Sequence, residues 1–387
     1  MHPLSENGEL KAVGLAESPS ATGICDEEDA GRSSSPRLKT RIVGVGTATP
    51  PTSYSQLELL DRFGIKDRRI RSIFLNSAID RRFLTLPYVS KEGSHPNESQ
   101  RELLTKHRKY AIDMGAQAIG ACIGNCNASL SDISYLCCVT TTGFLSPGVS
   151  AFLFRELGLE PDRARLDVVG MGCNGGLNAL NATASWALAN PGKLAIMLCV
   201  EVCSAAYVID ETLRTGVVNS LFGDGAAAIA LVSGAGDKAS EGPAILKFNS
   251  RLITEAIDAM RFDWDESHGK FSFFLDPQIP YVVGANIETT INGLLAGTGL
   301  RRSDIVHWVV HSGGKKVIDA IRINLGLSAH DLRHTISVLR DYGNLSSGSF
   351  LFSYQRLMSE GTIARGDYGV MVAMGPGSTI ESALLQW

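Results

Sequence analysis

The segment from Asp167 to Leu180, DVVGMGCNGGLNAL, constrains the chain most: a β-branched run meets a glycine-rich turn holding Cys173, and Ala/Leu-rich sequence follows at once. It reads as strand, tight turn and helix. Val168 and Val169 suit a buried strand, the glycines supply conformations other residues resist, and LNALNATASWALA has helical composition and spacing. Cys173 then sits at or near a helix N-terminus. There the unpaired N–H groups and the positive end of the macrodipole favour thiolate, the form that attacks a carbonyl carbon. A small buried cysteine in a tight turn is the plain alternative.

Residues Gly170 to Gly175 also spell GxGxxG, and Glu201 ends the next apolar run, KLAIMLCVE, near the spacing of a dinucleotide-binding fingerprint. Position opposes that reading. Such a fingerprint usually opens a domain, whereas well over a hundred residues of chain with folded character precede this one. The two readings separate on whether the rest of the chain supplies a partner for the thiol.

With 387 residues, 44% of them hydrophobic, the chain can bury a large core as two domains or one duplicated domain. Net charge is only −4, which gives no reason to expect nucleic acid. Eight cysteines fall mostly in apolar runs without zinc spacing, which fits reduced thiols in a cytosol. No apolar run reaches the length of a membrane span and no basic-then-apolar leader opens the chain, so a soluble cytoplasmic protein is expected. Residues 1–39 show no sustained period and are expected to be a disordered tail.

From Thr40 onward strand-like and helix-like segments alternate, which predicts an α/β fold. TRIVGVGTATPP reads as a strand, helices are expected from Ser55 and over Arg108 to Cys126, and SYLCCVTTTG and LFGDGAAAIALV read as strands flanked by turns. The basic segment Lys66 to Arg82 is either a solvated helix face or a phosphate contact at a cleft mouth. HWVVHSGGKKVIDAI, from His307, repeats the strand, glycine turn and helix of the Cys173 segment about 140 residues later. Two similar halves, with strand-end turns meeting at one site, are therefore expected.

His311 occupies the place in this second run that Cys173 holds in the first. The other seven histidines lie in the tail, in charged segments or in helix-like contexts that suit the surface. An imidazole beside a cysteine can take its proton and later hydrogen-bond an oxygen that becomes negative. Asn344, in DYGNLSSGS, can aim an amide N–H at the same oxygen, although a helix-capping loop through Ser346 or Ser347 accounts for the stretch equally simply.

GMGCNGG, FGDGAAA, VVHSGG, DYGNLSSGS and MGPGSTIESALL, in that order across residues 40 to 387, resemble the type III polyketide synthases, the chalcone synthase family of the thiolase fold. FLNSAIDRRFLTLP and SFFLDPQIPYVVGA look like bacterial more than plant members. The resemblance implies duplicated βαβαβ halves packed as αβαβα layers, residues 40–240 carrying Cys173 and residues 241–387 carrying His311 and Asn344. It also implies a homodimer, each subunit holding a buried site reached through a coenzyme A tunnel. Cys173 would carry the growing chain as a thioester, and His311 with Asn344 would hold the thioester carbonyl of malonyl-CoA while carbon dioxide leaves.

By the same resemblance, Phe222 and Phe273 stand between tunnel and cavity, and Arg69 contacts coenzyme A. Two basic positions of the plant pattern fall on Ser72 and Asn76, where Arg71 is the available substitute. Ala206 stands near the plant starter-pocket threonine, and Gly375, Pro376 and Gly377 form the loop that differs from the plant one. These departures argue against a phenylpropanoid starter. The resemblance to bacterial members implies malonyl-CoA as both starter and extender: four units lose four carboxyls and leave an eight-carbon tetraketide, which closes to a dihydroxylated ring bearing a CH2 thioester. A synthase of resorcinols or pyrones from another acyl-CoA starter is the alternative. No cofactor or metal is expected, because decarboxylation supplies the carbanion.

Overall fold

The computed structural model describes residues 38–87, 98–234 and 242–387. Apart from Leu38 and Lys39, the tail expected over residues 1–39 lies outside them. The chain runs through β1 (Thr40–Ala48), β2 (Ser53–Ser55), α1 (Gln56–Arg62), α2 (Arg68–Leu75), β3 (Arg81–Phe83), α3 (Gln100–Asn125), β4 (Ile133–Thr140) and α4 (Val149–Leu157). Then come β5 (Ala164–Val169), α5 (Gly175–Ala189), β6 (Leu194–Glu201), α6 (Leu213–Leu221) and β7 (Gly225–Ser233). The remainder forms β8 (Ala244–Leu252), β9 (Met260–Asp265), β10 (Lys270–Leu275), α7 (Ile279–Leu295), β11 (Ile305–Val310) and α8 (Lys315–Leu325). It ends with α9 (Arg333–Tyr342), α10 (Ser349–Glu360), β12 (Tyr368–Gly375) and β13 (Thr379–Gln386).

Nine strands join in the order β11-β12-β13-β8-β1-β7-β6-β4-β5. β4 is parallel to β6, which is antiparallel to β7; β11 is likewise parallel to β12, which is antiparallel to β13. The two series meet where Arg41 pairs with Ala244. Thus β1, β4, β6 and β7 correspond to β8, β11, β12 and β13.

Because successive strand side chains face opposite ways, burial shows where the layers lie. On β6, Ala195, Met197 and Cys199 join one apolar cluster while Ile196, Leu198 and Val200 join another. On β12, Met371 and Ala373 share the first cluster, and Val370, Val372 and Met374 face a third. The shared cluster includes Leu177 and Leu180 of α5 and Phe350 and Tyr354 of α10, so these two helices form a middle layer touching both strand series. α3 covers the outer face of the first series and α7 that of the second. The result is an αβαβα stack.

Three sequence expectations change here. Since α5 and α10 share the middle layer, the counterpart of the Cys173 turn is the Asn344–Gly348 turn before α10. His311 follows β11 and so matches the end of β4, at Thr141. The strand, glycine turn and helix rhythm misleads because it occurs more than once within each half. Second, β5 is an edge strand, not a buried one: Leu166 is 37% and Val169 40% exposed. α3 also starts before Arg108, at a capping box between Ser99 and Glu102.

Candidate active site

After β5 the chain turns through Gly170 and Gly172, both at positive φ (81° and 73°), and presents Cys173 in a single 3-10 turn ahead of α5. Only glycine fits at 172: a Cβ there would lie 2.2 Å from Cδ of Pro376. At Gly375 a Cβ would lie 2.3 Å from Oδ1 of Asn174. The Gly375-Pro376-Gly377 loop therefore braces the thiol turn from behind and is not part of the cavity lining. A turn closed against Pro376 has no room for a pyrophosphate, which removes the dinucleotide reading.

In front of the thiol lies a cavity lined among others by Cys173, Ala206, Phe222, Phe262, Phe273 and Ser346. Phe222 and Phe273 meet edge to face at 5.7 Å, and Phe262 packs on Phe273 at 5.0 Å. The sequence reading missed Phe262. Its signal was present only as the alternation of RFDWD opposite FSFF in the β9–β10 hairpin, where Phe262 pairs with Phe273.

Burial pushes the Cys173 thiol up to about 12; hydrogen bonds from Ser346 and the Asn344 side chain pull the other way, and the charge of Glu201 adds to the rise. Desolvation thus opposes the thiolate expected from the helix N-terminus. His311 is 2% exposed and burial drives its imidazole down to about 3, so it is neutral. Its Nδ1 has no hydrogen-bond partner among the described residues, while its backbone N–H donates to Val372 O at 2.8 Å.

Asn344 Oδ1 accepts from the Ser346 N–H at 2.8 Å, which leaves the amide N–H2 for the thiol side. The Asn344 backbone is tied on both sides of Phe222: its N–H donates to Leu221 O and its carbonyl accepts from Gly223 N–H, each at 2.9 Å. Ser312 Oγ donates to Gly343 O at 3.2 Å, seating the His311 loop on the Asn344 loop. Cys173 and Asn344 are thus brought together directly, and His311 through its neighbour.

Arg69 and Arg71 lie on α2, outside the cavity lining. The Arg69 side chain is 76% exposed, 3.7 Å from Asp67, and Arg71 Nη1 donates to Ile65 O at 3.1 Å. The basic segment is not solvated throughout, since Arg82 at its end has no exposure. Two histidines assigned to the surface are buried: His307, paired with Asp367 at 2.8 Å, and His107, which stands behind the polar end of the site. That polar end is Glu201, read from sequence only as a fingerprint acid; its carboxylate accepts from Thr141, Thr142, Ser346 and Ser347. No helix among the described residues is long and apolar enough to cross a membrane, and no cluster there could hold a metal.

The N-terminal domain of chalcone and stilbene synthases matches residues 28–236 and the C-terminal domain residues 259–387. The chain belongs to the chalcone and stilbene synthase family, and is a type III polyketide synthase, a condensing acyltransferase of the thiolase fold. It is 63% identical over 369 residues to the 3,5-dihydroxyphenylacetyl-CoA synthase of Streptomyces toyocaensis, covering 95% of this chain and 94% of that one. Among solved structures, PKS-I from the brown alga Ectocarpus siliculosus superposes with a TM-score of 0.85 at 25% identity, covering 92% of this chain and all of that one. CsyB complexed with CoA-SH does so with a TM-score of 0.81 at 26% identity, over 90% and 99%.

Proposed function

We propose that this chain makes 3,5-dihydroxyphenylacetyl-CoA, with malonyl-CoA as both starter and extender. The observation that carries this is the 63% identity to a synthase of that product along nearly the whole of both chains. Cys173 attacks the starter thioester, its proton passes by way of His311 to the departing sulfur, and coenzyme A leaves as the thiol. His311 and Asn344 then donate hydrogen bonds to the carbonyl oxygen of the extender thioester. Loss of carbon dioxide puts negative charge on that oxygen, and the enolate attacks the Cys173-bound acyl carbon, forming C–C and breaking C–S. Phe222, Phe262 and Phe273 exclude water from the enolate, and Ala206 leaves space beside the thiol for the growing chain.

Arg69 and Arg71 meet the phosphates of coenzyme A at the mouth of the site. The halves are residues 40–240 and 241–387. The enzyme is a homodimer, supported by the exposed apolar edge of β5, and works in the cytoplasm, where the seven described cysteines, all free, stay reduced. Its product feeds dihydroxyphenylglycine formation for a glycopeptide antibiotic.

The test is purified protein with malonyl-CoA alone, products read by mass, and Cys173→Ala in parallel. An eight-carbon dihydroxyphenylacetyl product absent with the variant is expected. Pyrones or resorcinols formed only with an added acyl-CoA starter would overturn the product assignment and leave the family chemistry standing.

A further inference from the structure

Glu201 ends β6 with no solvent exposure and with no cation beside it among the described residues. Its carboxylate is held by donors instead. The N–H groups of Thr141 and Thr142 lie at 2.9 and 3.2 Å, and the hydroxyls of Ser347, Thr142, Thr141, Ser346 and Thr140 at 2.6, 3.1, 3.2, 3.2 and 3.4 Å. These donors outnumber the roughly four lone-pair sites of a carboxylate. The direction of each hydroxyl is therefore set by what stands behind it.

Behind two of them stands His107, whose ring lies in the buried stripe of α3 with no solvent exposure. Its Nδ1 is 3.2 Å from Thr142 Oγ1 and its Nε2 3.5 Å from Thr140 Oγ1. Burial drives the imidazole down to about 4, so it is neutral and carries one N–H. On Nδ1, that proton goes to Thr142 Oγ1, which also accepts from Val202 N–H at 2.9 Å and then has only its own proton to give, to Glu201. On Nε2, it goes to Thr140 Oγ1 and drives that hydroxyl onto the same carboxylate oxygen. Either tautomer relays one N–H through a threonine to Glu201, and the shorter distances belong to the Nδ1 route.

On its other side Glu201 reaches the thiol: Ser346 Oγ is 3.2 Å from the carboxylate and 3.6 Å from Cys173 Sγ. The other titratable groups facing Glu201 are the thiols Cys199 and Cys203, both kept neutral by burial, with Arg82 and Asp224 beyond Cys203. We propose that His107 is a positioning residue, which drives a threonine hydroxyl onto Glu201, favours its carboxylate form, and through it restrains the nucleophile Cys173. This rests on Cys173 being the reactive thiol.

The experiment follows iodoacetamide alkylation of Cys173 in the full-length enzyme against pH, with the modified peptide identified by mass. An ionised Glu201 opposes thiolate, so the rate should rise with pH and break downward where Glu201 ionises. Removing the relay in His107→Leu or Thr142→Val should move that break up by about one pH unit. His107→Asn, whose amide N–H can stand for Nδ1–H, should keep it in place, and Glu201→Gln should abolish it. A break at the wild-type pH in both relay variants, with only a uniform change of rate, would show that His107 merely fills space and would overturn the proposal. So would an effect of His107→Leu that persists in the Glu201→Gln background. If the alkylated peptide is not the Cys173 one, the nucleophile assignment fails instead.

Discussion

Arg82, fully buried on β3, donates from Nη1 to the carbonyl of Phe222 at 2.6 Å, so a cation outside the cavity fixes the backbone of an aromatic that lines it. The same guanidinium reaches Tyr207 Oη at 2.9 Å and Gln56 Oε1 at 2.8 Å. Arg82→Met would strand Gln56 Oε1 and the nearby Asp224 charge, and would leave the Phe222 carbonyl to the Tyr207 hydroxyl alone. A loss of about 3–5 kcal/mol is expected in urea unfolding. Arg82→Lys, which keeps the charge but not the planar fork, should recover only part of it.

Gly172→Ala should separate position from stability. The new methyl group would stand 2.2 Å from Pro376 Cδ at a φ of 73°, so the turn must shift and carry the thiol with it. Unfolding free energy should fall by about 1–3 kcal/mol. Turnover should fall by on the order of a hundredfold, because an ångström of misplacement is enough for that. Turnover within a few-fold of wild type would show that the thiol position is not set by this contact.

Buried histidines give a pH signature. His107 and His311 are driven down to about 4 and about 3, below the usual histidine value. As pH falls through about 6.5 the unfolded chain takes up these protons before the folded one does, so stability is present above that value and is lost toward pH 4 and 3. Each fully buried histidine should contribute about 1.4 kcal/mol of loss per pH unit in that window. Urea midpoints of wild type and His107→Asn between pH 6.5 and 5 should diverge with that slope, and parallel curves would contradict it.

The edge strand β5 gives a test of assembly. Leu166→Lys with Val169→Glu places charge on the exposed strand that the dimer reading buries. Sedimentation should then show monomer where wild type shows dimer. If the variant stays dimeric, the interface lies elsewhere.

Much of the scaffold was legible because period and turn chemistry act locally. A helix opens at Ser55, and the runs at Ile133–Thr140 and Gly225–Ser233 form central strands, as the sequence predicts. Cys173 was found because glycines on both sides of a cysteine are unusual chemistry for one turn. His107 and Phe262 were not. A lone histidine in a stretch with charged neighbours reads as surface until the helix face is known, and Phe262 becomes a wall only when the β9–β10 hairpin folds over the cavity. The edge position of β5 is likewise a property of strand order, which no single segment carries.

The burial that disfavours the Cys173 thiolate bears on how long this thiol lasts. Oxidation to sulfenic acid, like alkylation, begins from thiolate. Burial holds the Cys173 thiol away from that form. Peroxide or a stray electrophile meeting the idle enzyme is therefore slowed at this thiol. Burial thus slows the loss of this thiol between encounters with substrate.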